Sequence, residues 1–180
     1  LGVGPDRYRG EWHAMRQYVS NVTGRAATDL YTSFEADLLP GYFWSFPLPD
    51  GRANIGYGIE RGGDIPTKDM TRLWRQILER PHIRALLGPD VQLEGSPKAW
   101  PIPAHVGKLP AFSGRTLFVG DAVAACDVMT GEGIGQALQT GEMAARAVLA
   151  CAGTTMAAGP AYSRALTTEL GPDHRMAALL

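Results

Sequence analysis

Between Thr116 and Ala150 a short apolar strand, Thr116-Leu-Phe-Val119, runs into a loop of small residues, Gly120 to Gly131, and then into a helix over Gly133 to Ala150. The helical period places Ile134, Ala137, Leu138, Ala144, Ala145, Val148 and Leu149 on one broad face. A strand, a glycine loop and a helix start form a frame that receives electron-rich groups. The first turn of the helix carries unpaired N–H groups and the positive end of the peptide dipole. Gly131, Gly133 and Gly135 let a flat or anionic ligand approach the backbone. The dinucleotide fingerprint G-x-G-x-x-G does not fit. Its third position is Gln136, no acidic residue ends a second strand about 20 residues on, and the loop is too long for a tight turn. Asp121, just after the strand, is instead placed to accept hydrogen bonds from sugar-alcohol hydroxyls.

Most of the first hundred residues read as strands. Met15–Val22 and Asp29–Glu35 have strand character, and Ser96–Ile102 is a further strand ending at prolines. Tyr42–Pro47 and Ala53–Ile59 form a hairpin through Pro49-Asp-Gly51, with positive φ expected at the glycine. Thr67 to Arg80 is an amphipathic helix capped by Thr67, with Met70, Leu73, Trp74, Ile77 and Leu78 on its apolar face. A second helix runs from His82 to Leu87. A loop around 153–159 leads to a helix near Pro160–Leu170, broken by Gly171-Pro172, with another starting near Asp173. In the hairpin, Tyr42, Trp44 and Phe46 share one face at period two, with Pro47 following and Gly56 and Gly58 leaving room on the partner strand. Taken alone, such a stripe is more often sheet core than ligand wall.

Leu117-Phe-Val-Gly-Asp-Ala122 followed by Met129-Thr-Gly-Glu-Gly-Ile-Gly-Gln-Ala-Leu-Gln-Thr-Gly141 resembles the second flavin motif of FAD-dependent oxidoreductases. Within these, the chain is most similar to the geranylgeranyl reductase family, whose Tyr-x-Trp-x-Phe-Pro motif is matched by Tyr42 to Pro47. The resemblance implies that Gly120 and Asp121 meet the ribityl chain of FAD, and that Gly131, Glu132, Gly133 and Ile134 turn their backbone toward the pyrimidine edge of the flavin. It implies a substrate slot lined by Tyr42, Trp44, Phe46, Pro47, Gly56 and Gly58. The activity implied is reduction of isoprenoid double bonds in a prenyl lipid or prenylated quinone, with NAD(P)H or another donor reducing the flavin. The catalytic residues and proton donor are not identified by the motifs. Asp127-Val128 stands where many flavin enzymes have Asp-Pro, which weighs against an aromatic hydroxylase or halogenase, the alternative within flavoenzymes. A non-catalytic prenyl-lipid carrier is the alternative from another class.

The expected fold is α+β with an α/β element. It combines an antiparallel substrate-domain sheet with helices and the C-terminal strand–loop–helix part of a glutathione-reductase-like FAD-binding domain. The expected divisions are a partial substrate-binding sheet domain over 1–105, the flavin-binding portion over 106–152 and the start of a helical region over 153–180. Leu1-Gly-Val-Gly-Pro-Asp6 lacks a Met, and Met176 to Leu180 stops inside an apolar pattern. A C-terminal piece of a longer protein is therefore expected, the ADP-binding G-x-G-x-x-G segment of the same protein being the missing partner. A net charge of −1 gives no footprint for nucleic acid. Cys126 and Cys151 are too few for a disulfide framework and fit a reducing, cytoplasmic setting. His13, His82, His105 and His174 lack metal-ligand spacing, so no metal is expected. Arg16 and Arg25 read as strand residues, solvated by default but able to face a substrate phosphate. Peripheral membrane contact is expected only because the substrate is insoluble.

Overall fold

The computed structural model describes residues 8–151 and 155–177. The readings of Leu1–Asp6 and of 178–180 lie outside these residues, as do 153 and 154 of the expected loop. The fold is α+β, in two compact units: residues 12–100, and residues 8–11 with the described residues from 101 to 177.

The strands of the first unit are β1 (Trp12–Ser20), β2 (Tyr31–Ser33), β3 (Phe43–Leu48), β4 (Arg52–Glu60) and β5 (Gln92–Ile102), whose last two residues belong to the second unit. They form one sheet in the order β2-β3-β4-β1-β5. β1 with β4, β2 with β3, and β3 with β4 are antiparallel. Strand alternation sends Met15, Gln17 and Val19 of β1, Phe43 and Ser45 of β3, and Ile55, Tyr57 and Ile59 of β4 to the buried face. There they meet α1 (Met70–Leu78) and α2 (Pro81–Leu87). Trp74 of α1 stacks on Tyr57 at 5.8 Å between centroids, and the Tyr57 hydroxyl donates to Met70 O at 2.7 Å. The buried Trp74 indole N–H donates to Gln17 Oε1 at 2.9 Å, which satisfies a polar residue inside the core.

The hairpin forms where expected, but its turn needs positive φ at Asp50 (63°) as well as Gly51 (66°), a conformation Asp tolerates better than most residues. Arg25 lies in a 3-10 turn, not a strand. β2 is shorter than Asp29–Glu35 because the backbone at both ends is engaged in turns, with the Asp29 N–H donating to Arg25 O and Glu35 O accepting from the Leu38 and Leu39 N–H groups. Asp29 pairs with Arg25, and Glu35 with Arg80 and His82. Thr67 opens a 3-10 turn, and Asp69 precedes α1 without a side-chain cap, so the expected Thr67 cap is not made.

The second unit contains the two-residue strands β6 (Phe112–Ser113) and β7 (Thr116–Leu117), then α3 (Ile134–Ala150), α4 (Thr155–Glu169) and α5 (Gly171–Ala177). The expected strand over 116–119 is strand at Thr116 and Leu117, with one further backbone bond from Phe118 N to Ala111 O at 2.9 Å before the chain turns at Gly120, where φ is 57°. The expected loop over 120–131 begins with a 3-10 turn, Gly120–Val123. The expected loop before Pro160 is already helix from Thr155. Gly159 is a packing glycine, since a Cβ there would come within 2.4 Å of the Phe112 ring.

α3 buries Thr140, Met143, Ala144 and Ala147 against Val123, Tyr162 and Leu166. The expected face is largely the other one. Ile134, Leu138 and Leu149 are 70%, 74% and 79% exposed. The helix is apolar or small on most sides, so periodicity alone does not choose the buried face. Among the described residues no helix is long and apolar enough to cross a membrane.

Candidate functional site

The site begins at the end of β7. The buried Gly120 N–H donates to Thr140 Oγ1 of α3 at 2.9 Å, and that hydroxyl donates to Gln136 O at 2.7 Å. A Cβ at Gly120 would lie 3.2 Å from that of Ala137, so the glycine lets this turn lie flat on α3. Asp121 follows, exposed at the surface. Its Oδ1 accepts from Cys126 Sγ at 3.1 Å. Burial, and then the hydrogen bond and charge of Asp121, push the Cys126 thiol well above the usual cysteine range. Cys126 is therefore a neutral donor that orients the carboxylate and not a nucleophile.

Asp127 builds the next turn. Its Oδ1 accepts from the backbone N–H groups of Met129 (3.1 Å) and Thr130 (2.8 Å) and from the Thr130 hydroxyl (2.8 Å). The Asp127 N–H donates to Glu132 O at 2.7 Å, and Gly131 takes a φ of 69°. Gly133 is the last residue before α3. A Cβ there would lie 2.7 Å from Cys126 Sγ and 3.3 Å from Asp121 Oδ1. Glu132 folds its carboxylate over the helix start, where Oε1 accepts from Ile134 N at 2.5 Å and Gly135 N at 3.2 Å. The first turn of α3 thus holds an anionic group of the chain itself, as the dipole argument requires.

Asp121, Cys126, Gly131, Gly133, Ile134, Ala137, Leu138 and Ile102 line one open, mainly apolar cleft of about 570 Å³. The structure therefore brings Asp121, Gly131, Gly133 and Ile134 together, with Gly120 and Glu132 supporting them. Sequence reading missed Thr140, Asp127 and Ile102. Asp127-x-x-Thr130 carried a legible signal, the side-chain-to-backbone turn that Asp favours. Thr140 and Ile102 carried none, because their roles depend on tertiary packing.

The six residues expected to line a substrate slot lie in the other unit, around the β3–β4 hairpin. Tyr42, Trp44 and Phe46 share the face opposite the buried one. Their centroids are 6.2 Å (Tyr42–Trp44) and 6.3 Å (Trp44–Phe46) apart. Pro47, next along β3, pairs with Ala53. Gly58 leaves open space, since a Cβ there would meet no atom within 4 Å. Gly56 does not leave room. Trp44 lies across it, with Cζ2 2.4 Å from where a Cβ would stand, and its indole N–H donates to Asn54 Oδ1 at 3.3 Å. The space a missing side chain leaves is filled here by a neighbouring ring.

No family model matches the chain. It is 32% identical over 118 residues to digeranylgeranylglycerophospholipid reductase 2 of Methanopyrus kandleri, covering 61% of the chain and 28% of that protein. It is 30% identical over 155 residues to menaquinone reductase of Mycolicibacterium smegmatis, covering 74% of the chain and 35% of that protein. The sequence kinship is with the geranylgeranyl reductase family. The chain spans about a third of the length of these curated relatives. Among solved structures, a geranylgeranyl bacteriochlorophyll reductase-like protein from Thermoplasma acidophilum aligns with a TM-score of 0.71 at 20% identity, over 99% of the chain and 44% of that protein. A myxobacterial chondrochloren halogenase, described as an FAD-dependent halogenase, aligns with a TM-score of 0.65 at 22% identity, over 97% of the chain and 42% of the halogenase. At these identities the structural likeness establishes the fold.

Proposed function

We propose that the chain supplies the ribityl- and isoalloxazine-facing side of an FAD site, within a reductase acting on a prenyl lipid or prenylated quinone. One observation carries the reading: Asp121 and the glycine-lined start of α3 open on the same cleft. The residues fit the group. Gly133 lets Cys126 and Asp121 pack against the helix start, which holds the carboxylate at the cleft, and the Glu132 carboxylate already occupies helix-start donors that would meet the electron-rich edge of a flavin. Asp121, oriented by Cys126, accepts hydrogen bonds from the ribityl hydroxyls. Glu132 yields Ile134 N and Gly135 N to the ligand. These donors favour negative charge on the reduced ring. Once reduced, for which we assign NAD(P)H as the donor, FAD would supply a hydride to one carbon of a double bond, and a proton delivered to the other carbon by a group outside these residues would complete the saturation. Tyr42, Trp44, Phe46, Pro47 and the open space at Gly58 receive the prenyl chain, with Gly56 serving as the bed for Trp44.

The exposed stripe Ile134, Leu138, Ala145 and Leu149 on α3 is the surface on which the remainder of a flavin domain packs in this reading. The curated names favour reductase over halogenase, whose likeness is one of fold. The test is turnover by the intact protein, with saturation of an isoprene double bond in a prenyl lipid or menaquinone followed by mass spectrometry. Substrate hydroxylation or halogenation in place of saturation refutes the reductase assignment.

A further inference from the structure

The aromatic face of the sheet carries a cation that has no carboxylate partner among the described residues. β1 and β4 pair Ala14 with Gly58 and Arg16 with Gly56, and β3 pairs Trp44 with Gly56. Alternation puts Ala14, Arg16 and Tyr18 on the same face as Trp44 and Phe46, since Met15, Gln17 and Val19 are buried on the other. The Arg16 guanidinium lies 4.7 Å from the centroid of the Tyr18 ring, and the Arg52 guanidinium lies 5.6 Å from it. These two cations differ in one respect. Arg52 is neutralised by a two-pronged pair with Glu94, at 2.8 and 2.6 Å. Arg16 is half-buried and makes no ion pair among the described residues. The low floor made by Gly58 and Ala14 lies two residues along the strands from the Arg16–Gly56 pair, about 7 Å away measured along the backbone, with Tyr42 and Trp44 forming the aromatic wall.

We propose that Arg16 is a specificity determinant that receives the phosphate head of an anionic prenyl lipid, whose chain lies over Gly58 and Ala14 against Tyr42 and Trp44. The planar guanidinium fork matches phosphate oxygens in pairs, and stacking on Tyr18 holds it in place before the ligand arrives. The proposal rests on the prenyl slot of the preceding section and narrows it: a phosphorylated lipid is preferred over a neutral quinone.

The experiment compares binding of geranylgeranyl phosphate and geranylgeraniol, which share one chain, to the intact protein by calorimetry. Wild type is expected to favour the phosphate by about tenfold or more, as for a charged hydrogen bond. Arg16→Gln, and Arg16→Met, which keeps the packing stem, are expected to lose that preference while binding the alcohol as wild type does. Equal binding of the two ligands by wild type overturns the role of Arg16. So does a preference retained in either variant, or a folded variant that loses both ligands equally. Binding of neither ligand by wild type overturns the slot itself, a result distinguishable from these.

Discussion

At the residue scale, Thr140 is the joint between the β7–Gly120 turn and α3. It is fully buried and accepts the Gly120 N–H. Thr140→Val strands that buried donor and is expected to cost about 1–3 kcal/mol. Thr140→Ser should recover most of the loss, and urea unfolding of both variants checks this. Ser45 presents the opposite case. Its hydroxyl is buried on the inner face of β3 and has no partner among the described residues. Ser45→Ala removes an unsatisfied group and is expected to leave stability unchanged or raise it by up to about 1 kcal/mol; a loss larger than that would contradict the burial argument. Residues of this kind are the least legible in a sequence. Asp121 and the glycines announce themselves through residue type and spacing. Thr140 reads as one polar residue in a helix, and Gly56 reads as vacant space until the position of Trp44 is known.

At the scale of elements, amphipathic segments were readable and ambiguous ones were not. α1 shows one apolar stripe, and Met70, Trp74 and Ile77 from that stripe are buried. α3 has apolar or small residues on most of its circumference, so its buried side is decided by what it packs on. α4 and α5 start earlier than Pro160 and Asp173 suggest, because Gly159 serves packing and Pro172 is accommodated in the first turn of a helix. α5 also carries a pH-dependent anchor. Buried His174 accepts the Val106 N–H at Nδ1 at 3.2 Å, so the ring is held neutral. Burial, followed by the neighbouring His105, lowers its pKa, opposed by Asp127 and Asp173. The unfolded chain therefore takes up the proton more readily than the folded one. The contribution of the neutral ring is complete above the unfolded pKa of about 6.5 and is lost as pH falls through that value toward the folded one. His13, lowered by burial and by Arg61, acts in the same direction in the sheet unit. The urea midpoint should fall on acidification below about pH 6.5, and His174→Gln, which can still accept a hydrogen bond, should flatten the slope. An unchanged slope would contradict this account of α5.

At the scale of the molecule, the sheet unit has a core of its own, and the second unit combines a small core with an exposed apolar stripe on α3. In the proposed flavin domain that stripe is covered, so Leu138→Glu should destabilise the intact protein and lower its flavin content. A thermal midpoint equal to that of wild type would show the stripe to be bare. The central claim is that Asp121 and the start of α3 hold FAD, and FAD titration of the intact apoprotein tests it most directly. Loss of one hydrogen-bonding carboxylate predicts affinity about tenfold weaker, or more, in Asp121→Ala than in wild type. Failure of wild type to bind FAD, or equal affinity in the two proteins, would contradict it.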